Sequence, residues 1–226
     1  MTRTQNARIA GFTFLFYIAV AFPSMLLLDR ATSGEGIAAK LASIAQHATD
    51  VRVAVVLVLL GSFAALVLAV TLYAITREQD PDIAMLALTC RVCEGVISGI
   101  SIPETLGLLW LATATGPSAP DPGAVHALGT YLLRGDMAFT ATFFAVGSTL
   151  FCYLLLRGRM IPIPLAWLGL IASVLLVVAL PLQLVGFLRG PITSLMYIPM
   201  LAFEVACGLW LLIKGVAPVS PATKRD

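Results

Sequence analysis

Six apolar runs, at about 9–28, 52–75, 83–112, 127–156, 164–187 and 193–214, take up most of this 226-residue chain. Each is near or above the ~20 residues that an α-helix needs to cross the hydrocarbon of a bilayer. Backbone amides in hydrocarbon have no water to bond, so a run of this length and apolarity must satisfy them internally, as a helix does. Composition removes the soluble alternative. Only 12% of residues are charged and 59% are hydrophobic, where a soluble domain carries roughly a quarter charged residues. The sequence therefore predicts an all-α, polytopic membrane bundle of six helices with short loops, one integral membrane domain over residues 1–226. A net charge of +2 is too small to suggest a nucleic-acid partner. The partner it implies is the lipid bilayer.

The first connection, "DRATSGEGIAAKLASIAQHATD", is long enough for a short amphipathic helix lying on the membrane surface. The start, "MTRTQNARIAGFTFLFYIAV", has the charged-then-apolar order of a signal peptide, but its apolar run is long and no A-x-A site follows. It reads as a retained first helix. With the N-terminus inside, the inner side carries Arg3, Arg8, Arg77, Arg157, Arg159, Lys214, Lys224 and Arg225, and the outer side Arg30, Lys40, Arg52 and Arg189. That excess of inner cations predicts both termini in the cytoplasm. Pro23, Pro103, Pro181 and Pro199 each fall in the outer half of a span. Proline removes a helical hydrogen bond and kinks the helix, so the pattern predicts a bundle splayed outward above its polar residues.

Polar residues inside the spans carry the functional question. "LTCRVCEGVISGISIPET" places Arg91, Glu94, Ser98, Ser101 and Thr105 in the third span. At 100° per residue these fall within an arc of roughly 80°. A charge at mid-bilayer costs on the order of 3 kcal/mol or more, so the stripe should face the bundle interior or a wet cavity. Other spans offer partners. The fourth carries Arg134, Asp136 and Thr140, and the sixth carries Tyr197 and Glu204 two turns apart on one face. Arg91 is expected to be held by a carboxylate from another helix, Glu204 first. The three acids then exceed the cation they surround, which suggests proton exchange or a cationic or polar ligand.

Several chemistries fail on the inventory. The histidines, His47 and His126, fall in loops, which excludes a haem held by intramembrane histidines and a His-ligated zinc hydrolase. No metal or other cofactor is expected. Cys90 and Cys93 make a C-x-x-C, but within a membrane helix they read as small packing residues rather than a redox pair. Gly95 and Gly99 form a G-x-x-x-G, a pattern of close helix contact.

The segments "RIAGFTFLFYI", "CRVCEG", "GDMAFTATFF", "LLLRGRMIPIPLAWLGL" and "FEVACGLWLLIKG" resemble a bacterial membrane family catalogued as domain of unknown function 4386. The resemblance covers roughly residues 8 to 215. It implies a six-helix inner-membrane protein in which Arg91, Glu94, Asp136 and Glu204 occupy the family's recurring polar positions, and it implies no activity. The leading expectation is an outward-opening pocket for a small or lipophilic ligand, lined by Arg91, Glu94, Ser98, Asp136, Thr140, Tyr197 and Glu204. The alternatives are an intramembrane enzyme acting on a lipid or isoprenoid, with Asp136 or Glu204 as general acid, and a structural membrane subunit.

Overall fold

A computed structural model of the chain describes residues 1–117, 119–133 and 138–217. The described residues form helices and no strand. The helices are α1 (Arg3–Ala31), α2 (Gly36–Gln46), α3 (Ala48–Thr76), α4 (Pro81–Thr113), α5 (Pro122–Leu132), α6 (Ala138–Arg157), α7 (Ile163–Leu184), α8 (Ile192–Leu195) and α9 (Ile198–Ile213). Six segments are long and apolar enough to cross a membrane: α1, α3, α4, α6, α7 and the stretch Ile192–Ile213 that contains α8 and α9. The all-α, six-span expectation holds. The protein is multi-pass.

Local chemistry sets several helix ends. Asp121 caps α5 by accepting hydrogen bonds from Gly123 N at 2.9 Å and Ala124 N at 3.0 Å. Pro122 takes the first helical position, where its missing N–H costs nothing. Asp80 does the same for α4, accepting from Ile83 N at 3.2 Å, with Pro81 following. The first connection does contain a helix, α2, which buries Leu41 and Ile44.

In the fourth apolar run, read as one span over 127–156, α5 ends at Leu132 and α6 begins at Ala138; residues 134–137 lie outside the described residues. Among the described residues the candidate span is Ala138–Arg157. One expectation needs correction: Pro199 does not interrupt a helix. It sits in the first turn of α9, a position that has no intrahelical donor to lose. Pro23, Pro103 and Pro181 do lie inside α1, α4 and α7.

The chain divides into two compact units. The first comprises residues 1–16, 64–95 and 138–226, and the second 17–63 and 96–137. In the first, α6 packs on α7 and α7 on α9. Small residues mark the helix contacts: Ala7, Ala10, Ala84, Ala87, Ala145 and Ala166 are all 0% exposed. Where nothing apolar is gained by leaving lipid, close backbone approach supplies the attraction. In the second unit α2 meets α5. There Ala31, Leu41, Ile44, Val51, Leu108, Leu109 and Leu111 form a separate core. The outer surfaces are apolar too, with Phe63, Val70, Ile171 and Val178 all more than half exposed. An exterior of this kind suits hydrocarbon, not water.

Candidate functional site

Among the described residues Arg91 heads the largest fully buried side chains, at 1% exposure, on α4 in the first unit. Its stem lies against Gly147 of α6. A Cβ at Gly147 would come within 2.8 Å of Arg91 Cγ and 3.2 Å of the Ala87 carbonyl oxygen, so only glycine leaves room for the chain. One turn earlier, Phe144 presents its ring face to the guanidinium, with Cζ 4.7 Å from the ring centroid. A cation held there gains from the ring quadrupole, about 2 kcal/mol when desolvated.

The counter-ion is on the same helix. Arg91 NH1 lies 2.7 Å from Glu94 Oε2, three residues on. No ion pair joins Arg91 to Glu204, so the expected interhelical partner is not the one that makes contact. The reason is local: residues i and i+3 of a helix are surface neighbours, and Glu94 reaches the guanidinium without any help from tertiary packing. The 2.7 Å contact lies outside hydrogen-bond geometry, and Nε, NH1 and NH2 of Arg91 all lack a hydrogen-bonded acceptor among the described residues. Glu204 is 6% exposed on α9, and its Oε1 accepts no hydrogen bond from a described residue. Of the described charges, Arg91 and Glu94 are the ones whose fields act on it. Three ionisable side chains of one unit are therefore buried, one cation with two acids.

The remaining predicted residues separate. Ser98 is half-buried in the second unit, together with Ser101 and Thr105, whose hydroxyls donate to their own helix at Ser98 O, 2.7 Å, and Ser101 O, 2.9 Å. Those hydroxyls are satisfied within α4. Glu104 is exposed. Tyr197 is the N-cap residue of α9 and packs half-buried on the core of the first unit. Thr140 is half-buried in the first turn of α6. Asp136 and Arg134 lie outside the described residues.

Beside Arg91 the first unit contains a cavity of about 10 Å³, bordered by Ser148, Phe151 and Cys152 of α6 and by Met200 and Phe203 of α9. Sequence reasoning read Cys152 and Cys207 as small packing residues, and it did not single out Phe144, Gly147 or Ser148. Their spacing of three to four residues puts them on one face of α6, which is the signal that could have found them. Cys152 and Cys207 are both free and buried, in keeping with small packing residues, and Cys90 and Cys93 are free and half-buried.

No curated protein and no solved structure matches the chain. The family model described as "Domain of unknown function (DUF4386)" matches residues 9–215. That range takes in all six candidate spans but the first turns of α1, together with Arg91, Glu94 and Glu204. The chain thus belongs to the DUF4386 membrane family.

Proposed function

We propose that this protein binds a small or lipophilic ligand through a buried polar site, in which Arg91 receives an oxygen acceptor of the ligand. Glu94 holds the guanidinium in place, and Glu204 supplies a second polar group. The observation that carries the reading is the unmet hydrogen-bonding capacity of a 1%-exposed guanidinium. Leaving a buried charged donor unsatisfied is costly, and an acceptor brought by a ligand would recover that cost. Thr140 and Tyr197, in the same unit as Arg91, remain candidates for the approach to the site.

The test is mass spectrometry of small molecules that co-purify with the protein from a membrane extract in mild detergent. The expected result is one molecule per chain, bearing a carbonyl, carboxylate or phosphate oxygen. Arg91→Lys, which keeps the charge but not the planar fork of donors, should lose it while the protein stays folded. Retention of nothing by the unmodified protein would defeat the ligand reading.

A structural reading has one observation in its favour. The cavity at Arg91, about 10 Å³, takes nothing larger than a water unless Met200 or Phe203 moves. In that reading the Arg91–Glu94 pair and the Phe144 face fix how α4 seats on α6, and nothing is bound.

The protein is further proposed to lie in the bacterial inner membrane with both termini in the cytoplasm. The support is the excess of Lys and Arg at one set of helix ends, at Arg77, Arg157, Arg159 and Lys214 among others. Reporter fusions after residues 79 and 159 should report the cytoplasm, and a fusion after residue 120 the outside. A periplasmic signal from the fusion after residue 159 would invert the topology.

A further inference from the structure

The cavity beside Arg91 has a second polar residue, Ser148, that neither the ligand reading nor the structural one uses. Its volume, about 10 Å³, is near the smallest that admits one water. Size alone decides nothing, because apolar cavities stay dry; a buried water needs two or more polar partners. Here the partners are present. Arg91 brings Nε and NH2, both buried and without an acceptor among the described residues. Ser148 Oγ is the second. Thr142 and Thr149 of the same helix donate to Ala138 O at 2.7 Å and Ala145 O at 2.8 Å. Ser148 makes no such bond among the described residues, although it is only 8% exposed. Cys152 adds a weak donor from the next turn.

We infer that a single water occupies this cavity, accepting from the Arg91 guanidinium and donating to Ser148 Oγ. Both residues border the same water-sized space. Neither Glu94 nor Glu204 borders the cavity. Its polar lining is therefore mostly donors, which fits a neutral oxygen. A small anion would share that acceptor chemistry, but it would sit near two acids. The inference goes beyond the ligand reading and stands whether or not a larger molecule is found.

The experiment compares Ser148→Ala and Ser148→Val by thermal unfolding in detergent, alongside a density map that resolves ordered waters. If the cavity is wet, Ser148→Ala removes one of the water's partners and lowers Tm by about 2–10 °C. Ser148→Val, which also intrudes on the water, lowers it at least as far. If the cavity is dry, Ser148→Val fills empty space and raises Tm, and that result overturns the inference. The map should contain one peak within hydrogen-bonding distance of both Arg91 and Ser148 Oγ. An empty cavity, or a bromide anomalous signal there after growth in bromide, overturns it independently of how either variant folds.

Discussion

Glu94→Gln should destabilise the protein by about 3–5 kcal/mol in detergent, because it leaves the Arg91 cation buried without its counter-ion. Arg91 is 1% exposed and touches the carboxylate at 2.7 Å, so neither solvent nor a side-chain swing can compensate. The neutral glutamine keeps the volume and removes the charge, which isolates the electrostatic part. Arg91→Met combined with Glu94→Leu should recover much of the loss, since apolar side chains of similar size often replace a buried pair at no net cost. The cycle has a built-in comparison. Glu204→Gln removes an acid that makes no ion pair with Arg91, and it should cost less than Glu94→Gln. An equal or larger loss from Glu204→Gln would show that Glu204 is the residue that holds the guanidinium. Chemical denaturation of the two single variants and the double replacement measures all of this.

That comparison also marks where the sequence stops being sufficient. The number of spans follows from hydropathy alone, because hydrocarbon makes one demand of every crossing segment and length answers it. The start of α5 is not legible that way. It is set by the Asp121 cap, whose side chain accepts from Gly123 N and Ala124 N. Arg91 and Glu94 stand out in sequence as charges in an apolar run. Their pairing is legible too, since a spacing of three residues on a helix is a contact distance, but the search for an interhelical partner gave Glu204 the priority. Spacing puts Gly147 and Ser148 on one face of α6 with Phe144 and Cys152, but spacing alone does not aim that face at Arg91. What singles them out is the Arg91 stem lying over one and a cavity bordering the other. Those are properties of packing between α4 and α6, and one helix read alone does not contain them.

Gly11→Ala should be the most damaging single-methyl change in the first unit, with a loss at the upper end of roughly 1–3 kcal/mol. A Cβ at Gly11 would land on the backbone of α9, against Leu212 N, with Gly208 O at 2.6 Å and Leu211 C at 2.9 Å. Backbone atoms of a helix cannot rotate aside as a side chain can, so α1 would have to withdraw from α9. The opposite side of the crossing is equally tight, since a Cβ at Gly208 would meet Phe14 Cβ at 3.1 Å and Leu15 Cγ at 3.2 Å. Gly61 on α3 is the control. A methyl there meets Val20 Cγ2 at 3.6 Å, an ordinary contact. Gly61→Ala also gains up to about 1 kcal/mol in helix propensity, so it should leave stability unchanged or slightly raised. Gly11→Ala has the same propensity gain and should still fall well below the unmodified protein, because steric overlap with backbone outweighs it. Thermal unfolding of the two variants under identical conditions gives the answer. Equal midpoints would mean that α1 and α9 do not cross at Gly11 and Gly208.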